Sequence, residues 1–166
     1  MSLNRRIAGS ELQQRFEKVI DDVAKPGTDW ETCGKEFMDI LTASPDFYPA
    51  RFNYAVSLLH QKRLDEAEPI LLKLVNKHPD YLFAKASLVQ LYLQTGRPTQ
   101  ASELIQTTAL PEETHPTAMA QWMAAQALFH ADQEDYKSAR RCIESAHNIA
   151  PENQVVSKIH RHITSF

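Results

Sequence analysis

The histidines are the residues of this sequence that could most readily bind a metal or act as a catalytic base. There are seven, and His160 and His162 stand closest together. On a helix, side chains two residues apart point about 200° from each other, so this pair cannot share a metal ion. The stretch PEETH places Glu112 and Glu113 beside His115, but it reads as a solvated polar loop. We therefore predict no metal site and no cofactor.

The sequence also contains no motif that would assemble a catalytic centre. A glycine-rich phosphate loop, a nucleophile elbow and H-E-x-x-H are all absent. His130 falls within an apolar helical stretch, where a hydrogen-bonded structural histidine is expected. Cys33 and Cys142 match no metal or redox spacing, so we expect two buried, reduced thiols that react slowly. We predict that the protein is not an enzyme and has no small-molecule substrate.

Composition and charge restrict the possible partners. The 166 residues are 43% hydrophobic and 23% charged, and the net charge of −3 gives no overall attraction to nucleic acid or to an anionic membrane. Arg140–Arg141 and the HRH stretch are short basic runs that read as solvated faces. MSLNRRIAGS lacks the apolar core of a signal peptide, and no apolar run is long enough to cross a bilayer. We predict a cytoplasmic protein.

A spacing of small, apolar and proline residues recurs along the chain. Ala67 is followed four residues later by Leu71 and eight residues after that by Pro79. Corresponding residues stand at a similar interval in three further places: Cys33, Phe37 and Pro45; Ala101 and Ile105, with Glu113 in place of the proline; and Ala139, Ile143, Ala146 and Pro151, after a slightly longer interval. Four copies at a period of about 34 residues indicate a repeat array.

Each period reads as two helices with different surfaces. In the second helix Ala67 and Leu71 lie on an apolar stripe, while Lys73 and Lys77 face away from it. The first helices, such as LFAKASLVQLYLQ, are apolar almost all round and must be covered on several sides. Stacked pairs would place first helices on an inner wall and second helices on an outer one. Leu71 and Ile143 are then predicted to hold their helix pairs together.

Capping and proline signals predict the helix boundaries. Ser10 with Gln13, and Thr28 with Glu31, have capping-box spacing. SPD, HPD and APE should end helices because the residue before a proline is pushed out of the helical region. KPG and TGRP are expected turns, and TTALPEETHP is the longest connection. Pro69 lies about one turn into its helix, so we expect a late start or a slight bend there.

The register of Ala67, Leu71 and Pro79, repeated in the last copy, resembles the tetratricopeptide repeat. The signature of that family is W-x2-L-G-x2-Y, then A-x3-F, then P, over a unit of about 34 residues. The first-helix half is looser here, with Tyr54 at the L place, and the N-terminal pair departs most, with Asp21 at the small position. The resemblance covers about residues 10–151.

The resemblance implies an all-α fold, an α-α superhelix of about four helix pairs plus a C-terminal capping helix. The predicted repeats are 10–46, 47–80, 81–115 and 116–151. They follow an N-terminal tail at 1–9 and precede a capping helix at 152–166, in which Val155, Ile159 and Ile163 follow an i, i+4, i+8 spacing.

The resemblance also implies where a partner would bind. Family contact positions on the first helices correspond to Phe52, Asn53, Val56 and His60; to Phe83, Ser87, Gln90 and Gln94; and to Gln121 and Leu128. The same positions include Ala86, Ala124, Ala125 and Asp132. Packing between first helices is an alternative role for Phe52, Val56 and Leu128.

Two functions remain open on this basis. One is a non-enzymatic adaptor or scaffold that binds a peptide or helix of another protein on the concave face. The alternative is a small secretion or assembly chaperone that shields an apolar segment of a client. A clamp for terminal carboxylates, known in some family members, is disfavoured because only Asn53 and Lys18 could belong to one. An apolar or amide-bonded partner segment is expected instead.

Overall fold

The computed structural model describes the backbone of residues 3–165 and the side chains of residue 9 and residues 11–165. These residues form helices and turns, with no strand among them. The prediction of an all-α fold is confirmed. In chain order the helices are α1 (Leu3–Val23), α2 (Trp30–Ala43), α3 (Tyr48–His60), α4 (Leu64–Lys77), α5 (Leu82–Gln94), α6 (Pro98–Thr107), α7 (Pro116–Asp132), α8 (Tyr136–Ile149) and α9 (Gln154–Thr164).

The N-terminal predictions require correction. Helix α1 already includes Leu3, so the predicted tail at residues 1–9 is wrong, and Ser10 lies inside the helix instead of capping it. Gly9 is the strongest helix-weakening residue of this stretch, and one glycine costs a helix only about 1 kcal/mol. Residues 1 and 2 lie outside the described part of the chain.

The cap of α2 is also displaced by one residue from the prediction. Asp29 is the N-cap, and its carboxylate accepts hydrogen bonds from the backbone N–H groups of Glu31 and Thr32, both at 3.1 Å. Thr28 instead donates its hydroxyl to the carbonyl of Lys25 at 2.6 Å. Both residue types favour N-cap positions, so the sequence alone allowed either assignment.

Within three helix pairs, the turn has the same backbone conformation. Lys62, Gly96 and Glu134 have positive φ values of 63°, 67° and 59°. In each turn, the N–H of the next residue bonds to a carbonyl five residues back, as Arg63 does to Leu58 at 2.9 Å. This is the Schellman arrangement, which satisfies the last carbonyls of the first helix. The turns recur at the same intervals as the sequence repeat, including the longer interval before its last copy.

The turns between pairs follow a second shared pattern, built around the prolines at 45, 79 and 151. Ser44, His78 and Ala150 each precede a proline and end a helix. Their carbonyls accept a bond from the N–H three residues later, at 3.1, 3.0 and 3.1 Å. The predicted role of SPD, HPD and APE as helix ends is confirmed. The assignment of repeats to particular residue ranges stays a prediction.

Pro69 does not delay the start of its helix. Helix α4 begins at Leu64 and runs through the proline to Lys77, so the predicted late start is wrong. Pro69 is exposed, as is Asp65 four residues earlier, whose carbonyl loses its helical partner. Water can therefore replace the missing hydrogen bond.

The chain divides into two compact units, Met1–Ile70 and Leu71–Phe166. In the first unit, α1 and α3 pack against α2 around the fully buried Phe37 and Ile40. Gly34 of α2 lies so close to α3 that a Cβ atom there would be 2.8 Å from the Ser57 hydroxyl oxygen. Cys33 is buried in this core, as predicted.

In the second unit, α7 packs against α5, α8 and α9. Ile143 lies at the centre of a core that α9 completes with Val156, Ile159 and Ile163. Val155 is 40% exposed, so the predicted stripe of the last helix is displaced by one residue at its start. Cys142 is only half buried, contrary to the prediction. Among the described helices, none is both long and apolar enough to cross a bilayer.

Candidate functional site

A groove of about 370 Å³ lies on the second unit, where α5, α7 and α9 approach one another. Its apolar surface comes from Leu93 of α5 and from Leu128 and Ala131 of α7. Its polar groups come from the end of each helix. The lining residues are Gln90, Leu93, Gln94, Leu128, Ala131, Asp132 and His162.

The packing of α5 against α7 determines which side chains reach the groove. Helix α5 buries most of its surface, including Leu88, Leu91 and Tyr92, so few positions remain open. Helix α7 is similarly covered and buries several alanines on the side facing its neighbours. These small residues let α7 approach its neighbours closely. The groove itself is lined mainly by residues near the C-terminal ends of α5 and α7.

Three of the ten predicted binding residues meet in this groove. They are Gln90 and Gln94 from α5, and Leu128 from α7. Phe83, Ser87 and Gln121 lie on the same helices but do not line it. Phe83 is half buried and packs edge-on against Tyr81, with ring centroids 5.6 Å apart. The spacing of residues along α5 does not predict this contact, because Tyr81 precedes the helix.

The other four predicted residues lie on α3, in the first unit. Phe52, Asn53 and Val56 are half buried. The side-chain amide of Asn53 donates to the carbonyl of Pro49 at 2.9 Å, so part of its hydrogen-bonding capacity is used within its own helix. His60 is exposed and stacks on Trp30, with ring centroids 3.7 Å apart and an interplanar angle of 1°.

Some groove residues were not identified from the sequence. Leu93 and Ala131 lie on the predicted helices but outside the family contact positions. His162 comes from α9, a helix to which no binding role was assigned. Asp132 was among the contact positions, and its carboxylate accepts a hydrogen bond from Gln133 at 2.9 Å. His162 reaches the groove because α9 packs against α7. The sequence does not reveal that packing, so His162 could not be identified from its position in the chain.

Two smaller recesses lie elsewhere. One of about 220 Å³ follows α2 and α3 in the first unit, where Met38 and Tyr54 are flanked by Glu31, Lys35, Asp39 and Arg63. The other, about 240 Å³, lies between α7 and α8 and is lined by Met123, His130, Ser138, Arg141, Cys142 and Ser145. Both walls carry mixed charges or hydroxyl groups and offer less apolar surface than the groove.

Burial shifts the pKa of three groups on α2, α5 and α8. Burial raises the pKa of the Cys33 thiol and of the Cys142 thiol, which disfavours the reactive thiolate form of both. Burial also lowers the pKa of Lys85 in α5. Within the described residues, no group of three or more His, Cys, Asp or Glu side chains could hold a metal ion.

Comparisons with known proteins identify the repeat. Residues 36–86 match the family model described as tetratricopeptide repeat. No curated protein sequence matches the chain.

Solved structures resemble the chain over nearly its whole length. A thermophilic tetratricopeptide repeat protein from Thermus thermophilus is 16% identical, with a TM-score of 0.75 over 93% of this chain and 81% of that one. A tetratricopeptide repeat protein from Parabacteroides merdae, also 16% identical, gives 0.57 over 93% and 59%. The MamA RS-1 double mutant is 11% identical and gives 0.54 over 99% and 91%.

These similarities confirm the predicted resemblance and the helical-repeat fold. The segment matched by the family model contains the turn at Lys62, one of the turns that recur with the period of the sequence repeat. The chain therefore carries a tetratricopeptide repeat at residues 36–86, within a helical-repeat fold that it shares with solved tetratricopeptide repeat proteins.

Proposed function

We propose that this protein is a non-enzymatic interaction module that binds a peptide or helix of another protein. The supporting observation is the groove on α5, α7 and α9, which joins Gln90 and Gln94 to Leu128. Residues from three separate helices supply both an apolar surface and amide groups there. The tetratricopeptide repeat match supports a binding role, since proteins of this family generally mediate contacts between proteins.

The chemistry of the groove favours a particular kind of partner segment. Leu93, Leu128 and Ala131 can contact an apolar side chain, which supplies affinity by removing apolar surface from water. Gln90 and Gln94 can donate and accept hydrogen bonds with a backbone or a polar side chain. Such bonds position a segment with little dependence on its sequence. We therefore expect one or two apolar anchors flanked by polar residues.

The half-buried residues of α3 extend the same proposal to the first unit. Phe52 and Val56 offer apolar surface, and His60 presents a ring already held by Trp30. A side chain stacked in this way loses less conformational freedom when a partner contacts it. Replacing His60 and the groove residues in separate variants would show which unit contributes to binding.

The groove can be tested by adding charge to it. Gln90→Glu with Leu128→Glu should place two carboxylates in the groove and sharply reduce capture of partner proteins from native lysate, measured by quantitative mass spectrometry. The carboxylates would lose hydration on partner binding without gaining a cation. Glutamate is a good helix former, so the helical dichroism should persist.

A matched control makes this test specific. Leu72→Glu with Asn76→Glu changes one leucine and one amide on exposed positions of α4, with the same change in net charge. Capture should survive in this variant. Retention of partners by the groove variant, or equal loss in both, would contradict the proposal. A captured protein that aggregates when expressed without this chain would support the chaperone alternative over a plain adaptor.

A further inference from the structure

Positive charge is concentrated in the last two helices, α8 and α9. Residues 136–165 contain five Lys and Arg residues but only two acidic residues, whereas the whole chain carries −3. We call the five cations the C-terminal basic face: Lys137, Arg140 and Arg141 on α8, with Lys158 and Arg161 on α9. All five are exposed. The two acidic residues, Glu144 and Glu152, are exposed as well.

The cations of this face lack carboxylate partners among the described residues, whereas several cations elsewhere are paired. Arg15 lies 2.7 Å from Glu36, and Lys25 lies 2.6 Å from Asp22. Lys35 pairs with Glu31 on α2, and Arg63, in the turn before α4, pairs with Glu66. None of the five forms an ion pair with any described residue. Their charge is therefore available to an external anion.

Both helices present these cations away from the core. In α8 the positions opposite the buried Ala139 and Ile143 carry the three cations together with Glu144, and Lys158 has the same relation to Val156 and Ile159 in α9. The two helices pack together through a shared core, and the rings of His147 and His160 stack between them with centroids 4.5 Å apart. The face is thus carried by rigid, packed elements.

The recess between α7 and α8 could accept one side chain of a bound segment. Arg141 lines it together with the hydroxyls of Ser138 and Ser145 and the side chain of Met123. Asp135 is the acidic group at this end of α8, and its carboxylate already accepts the N–H of Ser138 as the helix N-cap. Ser145 already donates its hydroxyl to the carbonyl of Arg141 at 2.9 Å, so an incoming carboxylate would be bound by the guanidinium N–H groups of Arg141.

We propose that the C-terminal basic face is a second interaction surface, whose partner is an acidic segment of another protein. Exposed Tyr136 and Val155 lie on the same two helices and can contact apolar side chains between the acidic ones. Five cations can pair with a short acidic segment, whereas a long polyanion such as nucleic acid would extend beyond them along a chain whose net charge is −3. This surface is separate from the groove on α5, α7 and α9.

The test uses a synthetic peptide of four Glu-Leu-Glu-Gly repeats labelled with fluorescein, and a second peptide with every Glu replaced by Gln. Fluorescence anisotropy should show binding of the acidic peptide alone, and added salt should weaken it. Arg140→Gln with Arg141→Gln should weaken binding by about fivefold or more. Glutamine preserves helix propensity, so α8 should remain folded.

Two control variants distinguish the surfaces. Lys18→Gln with Lys73→Gln removes two other exposed cations that have no ion pair among the described residues, and it should leave peptide affinity unchanged. Gln90→Ala with Gln94→Ala alters the groove, and this variant should also bind the acidic peptide with unchanged affinity. Equal weakening by both charge variants would show a net-charge effect and overturn the proposal. Absent binding, or tighter binding to an oligonucleotide, anionic vesicles or a second copy of the chain, would do the same.

Discussion

The contact between Gly34 and Ser57 shows how one missing side chain permits the close packing of α2 against α3. A Cβ atom at Gly34 would lie 2.8 Å from the Ser57 hydroxyl oxygen, closer than such atoms approach in real structures. The next neighbours, the amide nitrogen of Gln61 and the Ser57 Cβ, would lie at 3.5 and 3.6 Å, which is ordinary contact. The Ser57 hydroxyl, which donates to the carbonyl of Tyr54 at 2.7 Å, is therefore the group that an alanine at this position would displace.

This geometry predicts strong coupling between the two positions. Gly34→Ala should destabilise the protein when Ser57 is present, because α2 and α3 must move apart. In the Ser57→Ala background the same change should be neutral or stabilising, since alanine favours a helix over glycine by about 1 kcal/mol. Denaturant unfolding of the four variants should give a coupling free energy of about 1–3 kcal/mol. Additive effects would contradict the close contact.

Residue-scale features were only partly predictable. The sequence indicated a small residue at Cys33 and an apolar one at Phe37, and both are buried. The stacking of His60 on Trp30 was not predicted, because it joins residues far apart in sequence, at the ends of two helices. Helical periodicity identifies the face of a residue, but it does not identify the side chain across from it.

At the scale of one element, two adjacent leucines of α4 differ in their exposure to solvent. Leu71 is fully buried, while Leu72 is 37% exposed. Leu71→Ala should lower the free energy of unfolding by about 2–5 kcal/mol through lost contacts and the resulting cavity. Leu72→Ala should change it by only about 0.5 kcal/mol. Chemical denaturation measures both, and similar losses would show that the helix is rotated from the orientation described.

The helices themselves were more predictable than their ends. The recurring proline and glycine positions correctly indicated where α2, α4, α5 and α8 end. The start of α1 was wrong because Ser10 and Gln13 have capping spacing inside a longer helix. Three of ten predicted binding residues line the groove, since that depends on how α5, α7 and α9 approach one another.

For the whole molecule, several carboxylates link folding to pH. Hydrogen bonds from Lys25 and Arg63 lower the pKa of Asp22 and Glu66. The pKa of Asp29 is lowered by Thr32, and that of Asp135 by Ser138. In the unfolded chain these carboxyl groups have pKa values of about 4. Below that pH the unfolded chain binds more protons, so the stability present above it is lost as pH falls.

The melting temperature should therefore fall between about pH 5 and about pH 3. Asp29→Asn with Asp135→Asn should reduce the pH dependence, because asparagine also caps helices but does not titrate. Stability at neutral pH should change little. Calorimetry across this range measures both quantities. An unchanged acid slope in the double variant would show that these caps contribute nothing to the linkage.

The recurring turns at Lys62, Gly96 and Glu134 have a consequence for the kinetics of folding. Each turn is closed by hydrogen bonds to residues no more than five positions away, so it requires no distant part of the chain. Chains whose contacts are local in sequence fold quickly, because little loop entropy is lost before favourable contacts form. Each helix pair can thus begin to form from its own residues, before any more distant part of the chain is in place.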